Sequence, residues 1–339
     1  MTRPVVIVTR GLPPAWLRAL AHCELVIGPD DPPPPATVAG TPWAGRGAWC
    51  ERTWSRLGEA DAILSLLTEP IDAAVLAAAP RLAVVSNMAV GVDNIDVAAC
   101  AARGIPVGHT PHVLTQACAD LTLALLLAHA RGLVGAAADA RAGAWTTWSP
   151  TRWLGRDLEG ATLGIVGYGA IGRAVARRAH AFGMRLLVHT RSPIHAAPDD
   201  PPLQSVALSE LLAGSDVVTL HVPLSPTTRG LIGADALAAM QSHAVLINTS
   251  RGGVVDQDAL VAALRGGHIA GAALDVTDPE PLPPGHPLYA MPQVLVLPHI
   301  GSATVGTRRR MAELACLNVC AGLQRHPLPH AVTSWDRSR

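Results

Sequence analysis

Apolar and polar positions alternate along this chain in short blocks that predict a parallel α/β protein. In the first hundred residues, the β-rich runs VVIVTR, DAILSLL and LAVVSNMA alternate with the alanine-rich runs AWLRALAH and AAVLAAAP, which predict helices. The alternation restarts with TLGIV and continues through RLLVHT, DVVTLHV, AVLINTS, GAALDV and VLVLPH. Strands that alternate with helices form parallel sheets covered on both faces. We therefore expect two doubly wound, Rossmann-like domains with a cleft between them.

Three further segments complete the expected organisation. Continuous small and aliphatic residues predict a long helix from Thr115 to Ala142, which we expect to be buried between the domains. The C-terminal run SATVGTRRRMAELACLNVCAGLQR predicts a helix that returns to the first domain. The proline- and glycine-rich stretch near 29–42 is expected to form an irregular surface loop.

Composition and charge narrow the classes of function. The 26 basic and 26 acidic side chains cancel, which gives no electrostatic reason for nucleic acid or an anionic membrane as a partner. The 6 cysteines form no CxxC pair and are typical of thiols in a reducing compartment, not of a metal site. The run Leu121–Ala130 is too short to span a bilayer, and the first apolar run is too short for a signal peptide. We expect a soluble, cytoplasmic protein.

The run GIVGYGAIG lies between a predicted strand and a predicted helix and has the glycine spacing of a dinucleotide-binding loop. Gly167 permits a tight turn, Gly169 lets the backbone approach a pyrophosphate, and Gly172 lets the helix pack closely on the strand. The N–H groups at the helix N-terminus then face the phosphates. We expect the whole loop to bind the cofactor: Gly167, Tyr168, Gly169, Ala170, Ile171 and Gly172.

The end of the next strand, LVHTRS, bears on which cofactor is preferred. An acidic residue about twenty residues beyond the glycines would bind the ribose hydroxyls of NAD, but here Thr190, Arg191 and Ser192 occupy the strand end. An arginine can pair with the 2′-phosphate of NADP through its fork of donors, and a serine adds another donor. The pattern predicts a preference for NADP(H), with NAD(H) as the alternative. A solvated loop arginine is the other interpretation of Arg191.

Three strand ends carry side chains suited to the reduction of a 2-oxo acid. NTSRGGVVD contains Arg251, which can hold a carboxylate and polarise a carbonyl. VLPHIGSAT contains His299, which can donate the proton as hydride arrives. DVTDPEPLP contains Glu280, which can orient that imidazole and favour its charged form. Each residue alone also has a structural interpretation, whereas the three together predict catalysis.

The motifs NTSRGGVVD, ALDVTDPEP, LPHIGSAT and GATLGIVGYGAIGRAVARRAHAFGM resemble the signature segments of the D-2-hydroxyacid dehydrogenase family. The resemblance covers nearly the whole chain. SNMAVGVDNIDVAACAARGIPVGHTPHVLT and RAGAWTTWSP are most similar to its glyoxylate/hydroxypyruvate reductase branch. The alternation predicts two domains, residues 1–107 plus 299–339 and residues 108–298. The resemblance implies that the first binds the substrate, that the second binds the dinucleotide, and that a dimerisation arm lies at about 115–155.

The resemblance also implies residue roles. Arg251, Glu280 and His299 match the substrate arginine, the dyad glutamate and the proton-donating histidine. The backbone N–H groups of Val90 and Gly91 match the loop that binds the substrate carboxylate. Asp275 matches the residue that holds the nicotinamide carboxamide, and Thr249 and Gly301 match positions that line the nicotinamide site. Thr115 starts the helix that faces the cofactor.

The dimer follows from the same resemblance. Trp145 and Trp148 lie in the segment that forms the dimer arm in this branch, which implies a homodimer in which Trp145 reaches the partner's substrate site. The chain departs from the family pattern at Tyr168, where an aliphatic residue is commoner, and in the proline-rich stretch.

These observations predict an NADPH-dependent reduction of small 2-oxo acids, glyoxylate and hydroxypyruvate, with His299 as the proton donor and no metal. Two alternatives stay open. One is a reductase of larger sugar-derived 2-oxo acids such as 2-ketogluconate. The other is a dinucleotide-sensing binding protein of the same fold, which would bind a peptide and turn over no metabolite.

Overall fold

The computed structural model describes residues 3–30, 49–195 and 197–332. The chain divides into two compact units, residues 1–114 with 304–339, and residues 115–303. Most of the predicted proline-rich loop near 29–42 lies outside the described residues.

The first unit is built on a five-stranded parallel sheet. Its strands are β1 (Val5–Val8), β2 (Glu24–Ile27), β3 (Ala62–Ser65), β4 (Val84–Asn87) and β5 (Val107–Gly108), arranged in the order β2-β1-β3-β4-β5. The connecting helices are α1 (Glu51–Trp54), α2 (Ala73–Ala78) and α3 (Val97–Ala102). The C-terminal helix, Val305–Leu323, returns to this unit and packs on β3 and β4.

Two elements at the start of this unit differ from the prediction. The run AWLRALAH forms two short 3₁₀ turns, Pro14–Trp16 and Arg18–Leu20, instead of one α-helix. Eight residues are too few for a stable α-helix without a long apolar face. A 3₁₀ helix has three residues per turn, so Leu17 and Leu20, which are three positions apart, are both buried on the same side. The run ELVI, which the pattern did not single out, forms β2 beside β1.

The second unit contains a seven-stranded parallel sheet. Its strands are β6 (Thr162–Val166), β7 (Arg185–His189), β8 (Gln204–Ser205), β9 (Val217–Leu220), β10 (Val245–Asn248), β11 (Gly271–Leu274) and β12 (Val294–Val296), in the order β12-β11-β10-β9-β6-β7-β8. The chain order reverses at β6, which lies between β7 and β9, so the carboxyl ends of β6 and β9 flank the crevice where such sheets bind ligands. The predicted doubly wound fold is confirmed in both units.

Helices cover this second sheet. They are α4 (Thr115–Ala130), α5 (Leu133–Arg141), α6 (Ala170–Ala181), α7 (Leu208–Gly214), α8 (Ala234–Ala238), α9 (Gln257–Arg265) and α10 (Pro287–Ala290). The predicted strands and helices of the second unit therefore form where the alternation places them, with shorter ends.

The long helix predicted from Thr115 to Ala142 is wrong: α4 and α5 are separate helices that meet at a bend of 62°. Gly132 between them adopts φ 56, a left-handed conformation that glycine tolerates and that ends α4. No residue of α5 is buried, and Leu133 and Val134 are 52% and 60% exposed, so the expected burial fails for this half. Among the described residues no single helix is long and apolar enough to cross a membrane. The bent pair of α4 and α5 reaches that length and apolar composition only when the two helices are taken together.

The units divide at 114/115 and 303/304, a few residues beyond the predicted boundaries at 107/108 and 298/299. The segment after β5 stays with the first unit because the Thr110 N–H donates to the Ala89 carbonyl oxygen at 2.8 Å. His299 stays with the second unit because its N–H donates to the Asp275 carbonyl oxygen at 2.9 Å.

The six cysteines are free thiols, and four of them are buried. Burial raises the pKa of Cys100 to about 11 and that of Cys316 to about 12. Those two thiols stay protonated at neutral pH and behave as small apolar core residues.

Candidate active site

The glycine loop connects β6 to α6 and is attached to both neighbouring strand ends. Gly167 has φ 97, a conformation available to glycine, and a Cβ atom there would lie 2.6 Å from the His221 carbonyl oxygen that follows β9. The Gly167 N–H donates to the His189 carbonyl oxygen at the end of β7 at 2.8 Å. The turn therefore requires glycine and lies at the switch point of the sheet.

The other two glycines differ in their surroundings. A Cβ atom on Gly172 would collide with the Gly167 carbonyl oxygen, so Gly172 permits the close packing of α6. Gly169 is the N-cap of the 12-residue helix α6, and no described atom lies within 4 Å of the place where its Cβ would be. The helix N-terminus is thus open in front of Gly169, which fits the approach of a dinucleotide pyrophosphate.

Tyr168, the departure from the family pattern, points into the core and is 7% exposed. The Arg173 guanidinium lies over its ring, 4.6 Å from the centroid, and pairs with the Asp200 carboxylate. Burial raises the pKa of Tyr168 above its ordinary value. The side chain therefore packs between α6 and the segment after β7, which leaves the backbone of Tyr168 for a cofactor contact.

Thr190, Arg191 and Ser192 directly follow β7, beside the glycine loop. The Arg191 side chain is exposed, and its nearest hydrogen-bond partner is the Thr227 hydroxyl at 3.4 Å. The Ser192 N–H donates to the Thr190 hydroxyl, also at 3.4 Å. Within the described residues no carboxylate forms an ion pair with Arg191, so its fork of donors is available to an anion.

His299 and Glu280 form a close pair in the second unit. The His299 Nδ1 atom lies 2.6 Å from the Glu280 Oε1 atom, and the two side chains are 25% and 41% exposed. A carboxylate at Nδ1 selects the tautomer that carries its hydrogen there when the ring is neutral, and it stabilises the doubly protonated ring. The Nε2 atom then faces away from Glu280. The structure brings these two predicted residues together.

Asp275 orients the histidine, a function that the sequence did not indicate. It is 1% exposed, and its two carboxylate oxygens accept the N–H groups of Ile300 at 2.7 Å and of Gly301 at 2.8 Å. His299 itself has φ 52, which a non-glycine residue rarely adopts, and the carboxylate fixes the turn that imposes it. Burial raises the pKa of Asp275, although the two N–H groups oppose that shift. Its predicted contact with a nicotinamide carboxamide stays a prediction.

Arg251 and Thr249 follow β10, the strand next to β11 and Asp275. The Arg251 guanidinium donates to the Ser250 carbonyl oxygen at 2.8 Å. The side chain of Asn248, which sequence reasoning missed, shapes this loop by donating to the Arg251 carbonyl oxygen at 2.9 Å. The Thr249 hydroxyl lies 3.0 Å from that of Thr122 on α4, the helix that begins at Thr115. Arg251, Asp275 and His299 therefore follow three adjacent parallel strands at one edge of the sheet.

Val90 and Gly91 follow β4 in the first unit. The Val90 side chain is 38% exposed, and its carbonyl oxygen accepts from the His109 Nδ1 atom at 3.0 Å. The Gly91 carbonyl oxygen accepts from the Asn87 side chain at 2.9 Å. Their N–H groups donate to no protein atom among the described residues, so both remain available to a carboxylate.

The segment after α5 exposes aromatic side chains. Trp145 and Trp148 are 65% and 80% exposed, and Leu154 is 75% exposed. Apolar side chains clustered at a surface mark interaction sites. In the described part of the chain no group of three or more His, Cys, Asp or Glu side chains is placed to hold a metal ion.

Comparisons with known proteins agree with this arrangement. Residues 123–301 match the family "D-isomer specific 2-hydroxyacid dehydrogenase, NAD binding domain". The chain is 46% identical over 321 residues to the glyoxylate reductase of Korarchaeum cryptofilum, with 94% of this chain and 92% of that protein covered. It is 41% identical over 336 residues to the human glyoxylate reductase/hydroxypyruvate reductase, with 96% and 98% covered.

Two solved structures are similar over almost their full length. The TT0316 protein from Thermus thermophilus has a TM-score of 0.86 and 47% identity, and the match covers 97% of this chain and 100% of that one. An NADPH-dependent glyoxylate/hydroxypyruvate reductase from Sinorhizobium meliloti, solved in complex with NADP and malonate, has a TM-score of 0.80 and 34% identity over 98% and 97% of the two chains.

Proposed function

Because this chain belongs to the D-isomer specific 2-hydroxyacid dehydrogenase family, we propose that it is a cytoplasmic, NADPH-dependent reductase of glyoxylate and hydroxypyruvate. The observation that carries the proposal is the 2.6 Å contact between the His299 Nδ1 and Glu280 Oε1 atoms, next to the carboxylate of Asp275 that fixes the histidine turn. The relatives named glyoxylate reductase support the substrate class.

The glycine loop would hold the dinucleotide, and the nicotinamide would supply a hydride for the substrate carbonyl carbon. His299 donates the proton from Nε2 to the substrate carbonyl oxygen, and Glu280 stabilises the imidazolium from which that proton comes. Arg251 attracts the substrate carboxylate and polarises the carbonyl group, as a planar cation does for a two-oxygen anion. The N–H groups of Val90 and Gly91, which have no protein acceptor among the described residues, are proposed to donate to a substrate carboxylate. The negative charge that develops on the carbonyl oxygen is thereby stabilised by Arg251 and neutralised by the proton from His299.

The proposed preference for NADPH rests on Arg191. Its guanidinium is exposed at the carboxyl end of β7, one residue beyond Thr190, where NAD-specific proteins of this fold have a carboxylate. A fork of donors at that place suits a 2′-phosphate. A relative solved with NADP supports this choice.

The proposed assembly is a homodimer. Leu133, Val134, Trp145, Trp148 and Leu154 form an exposed apolar stretch, and a second copy would remove it from water. In this proposal Trp145 of one subunit reaches the substrate site of the other.

A direct assay tests the proposed function. Purified protein is mixed with NADPH or NADH and a panel of glyoxylate, hydroxypyruvate, pyruvate and 2-ketogluconate, and the absorbance of the reduced nicotinamide is followed. We expect the highest kcat/KM with NADPH and either glyoxylate or hydroxypyruvate. A higher value with 2-ketogluconate would establish the larger substrate instead. Tight NADPH binding without turnover of any of the four acids would support the dinucleotide-sensing alternative.

A further inference from the structure

A buried side-chain amide holds the loop after β4 through a hydrogen bond to its backbone. Asn87, the last residue of β4, is 0% exposed. Its Nδ2 atom donates to the Gly91 carbonyl oxygen at 2.9 Å and to the Asn94 Oδ1 atom at 3.1 Å. Its Oδ1 atom accepts from the Ser65 hydroxyl at 3.0 Å. Both N–H donors of this amide are therefore used inside the protein.

A second amide continues the network to the neighbouring strand. The Nδ2 atom of Asn94 donates to the carbonyl oxygens of Leu66 and Glu69, each at 2.8 Å. The Asn94 carbonyl oxygen accepts the Ile71 N–H at 2.8 Å. Asn94 thus joins the loop that follows β4 to the loop that follows β3.

The loop after β3 is itself rigidly held. The Glu69 carboxylate accepts from the Thr9 hydroxyl at 2.7 Å and pairs with Arg10 at 2.7 Å, and the Arg10 and Glu69 side chains are 8% and 1% exposed. Removing one partner of such a buried pair is costly, so the pair fixes the segment that carries it. Asn94 therefore anchors the loop after β4 to the loop after β3, which the Arg10–Glu69 pair holds in place.

The orientation of the two free N–H groups follows from peptide geometry. In a trans peptide the N–H of one residue points opposite to the carbonyl of the residue before it. The Ala89 carbonyl accepts from the Thr110 N–H at 2.8 Å, and the Val90 carbonyl accepts from His109 Nδ1 at 3.0 Å. The N–H groups of Val90 and Gly91 consequently point away from those partners. The Asn87 bond to the Gly91 carbonyl then fixes the next peptide of the loop.

We propose that Asn87 and Asn94 are positioning residues whose paired amides hold the Val90 and Gly91 N–H groups in the geometry that binds the substrate carboxylate. This inference rests on the proposed function, because that function assigns the carboxylate to this loop. Neither asparagine touches the substrate; each acts through the backbone that it holds. Both side chains must donate hydrogen bonds, because a carboxylate in place of either amide would face carbonyl oxygens and repel them.

The substitutions Asn94→Asp and Asn87→Asp test the proposal with almost no change of side-chain shape. Each replaces N–H donors by an oxygen that faces the Leu66, Glu69 or Gly91 carbonyls. We expect the KM for glyoxylate to rise about 10- to 100-fold, the effect of losing one well-aimed hydrogen bond to a charged group. The kcat should change only a few-fold, because the proton donor is unaltered. The KM for NADPH should not change.

A milder variant covers the case in which the aspartates fail to fold. Ser65→Ala removes only the donor to the Asn87 Oδ1 atom, and we expect a rise in the glyoxylate KM of about two- to five-fold, since a neutral hydrogen bond contributes less. Thr53→Ala is the matched control. Thr53 is buried in the same unit and its hydroxyl donates to the Cys50 carbonyl oxygen at 3.1 Å, outside the hydrogen-bond network of the loop after β4. It should lower the melting temperature and leave the glyoxylate KM unchanged.

Calorimetric binding of oxamate to the NADPH-loaded protein separates this inference from the proposed function. Weaker oxamate binding in Asn94→Asp and Ser65→Ala, but not in Thr53→Ala, supports the inference whether or not the wild type reduces glyoxylate. Absence of turnover with every 2-oxo acid contradicts the proposed function alone. Equal oxamate affinity in wild type and variants, or a KM increase of the same size in Thr53→Ala, overturns the inference, and so does a wild type that binds no oxamate.

Discussion

The Nδ1 atom of His299 lies 2.6 Å from the Oε1 atom of Glu280, although the two residues are 19 positions apart in the chain. His299 reaches this position with φ 52, and the carboxylate of Asp275 holds the two following N–H groups. The imidazole is therefore oriented from its ring by one carboxylate and from its backbone by another. This double restraint makes the consequences of altering each residue distinct.

Replacing the proton donor should abolish most turnover. We expect His299→Ala to lower kcat for glyoxylate by about 10²- to 10⁴-fold, the usual contribution of a positioned acid. NADPH binding, measured by quenching of tryptophan fluorescence, should stay within a factor of two. Turnover that survives within a few-fold would assign the proton transfer to another group.

Removing the carboxylate of Glu280 should lower turnover. Glu280→Gln replaces the carboxylate that lies 2.6 Å from the His299 Nδ1 atom and orients the ring. A hydrogen bond to a charged group contributes roughly 1.5–3 kcal/mol, so kcat for glyoxylate should fall about 10- to 150-fold, while NADPH binding stays within a factor of two. Asp278→Asn, two residues away and paired with Arg229, is the control and should leave kcat in place. Equal kcat values for wild type and Glu280→Gln would remove Glu280 from the proposed dyad.

Arg191 should determine the selection between the two cofactors. A hydrogen bond to a charged group contributes roughly 1.5–3 kcal/mol, so Arg191→Ala should lower kcat/KM for NADPH about 10- to 150-fold and leave NADH nearly unaffected. The preference of the wild type should also shrink as salt is added, because the contact is exposed. Arg229→Ala removes another exposed arginine of this unit and should change neither value.

The double variant Thr190→Asp with Arg191→Ala should invert the preference. The new carboxylate would accept from the ribose hydroxyls of NADH and repel a 2′-phosphate. The measurement is kcat/KM for both cofactors. A wild type that prefers NADH, or equal losses with both cofactors in Arg191→Ala, would contradict the interpretation of the strand end.

His221, beside the glycine loop, should make the protein sensitive to acid. Burial lowers the pKa of His221 from 6.5 to about 3, so the folded protein keeps the ring neutral while the unfolded chain binds a proton below 6.5. Its contribution to stability is complete above 6.5 and declines as the pH falls toward 3. His221→Asn removes this linkage, so the melting temperature of the variant should fall less than that of wild type between about pH 7.5 and about pH 5. Parallel curves would show that the ring is not held neutral.

The exposed apolar stretch should mediate association. We expect a dimer by light scattering at micromolar concentration, and Val134→Glu and Trp148→Glu should each shift it toward monomer, because a buried unpaired charge opposes association. Leu317→Glu places the same charge at a 48% exposed leucine of the C-terminal helix and should leave the dimer intact. A wild-type monomer at this concentration would contradict the proposed assembly.

Local patterns determined much of the architecture. Runs such as TLGIV and AVLINTS predict buried parallel strands because apolar β-branched residues fit a sheet covered on both faces. The glycine spacing of Gly167, Gly169 and Gly172 predicts the loop because only glycine adopts such a turn and packs so closely. Arg251, Glu280 and His299 could be found because residues just beyond parallel strands meet at one edge of the sheet.

Element boundaries and exposure were decided by tertiary structure. The continuous aliphatic run from Thr115 to Ala142 does not contain the information that Gly132 takes a left-handed conformation, because glycine is compatible with either a helix or a break. Whether α5 is buried depends on what packs against it. The same holds for AWLRALAH, where the burial of Leu17 and Leu20 selected 3₁₀ turns.

The orienting groups of the site also required the three-dimensional structure. Asp275 accepts N–H groups 25 and 26 residues away, and Asn87 and Asn94 bond carbonyl oxygens that follow two different strands. A buried polar side chain must form a hydrogen bond, but the sequence does not specify which group is its partner. The sequence by itself determined which chemical groups stand at the strand ends, because strand period and glycine geometry are local. Only the tertiary structure decided how those groups are aimed, because their hydrogen-bond partners come from distant parts of the chain.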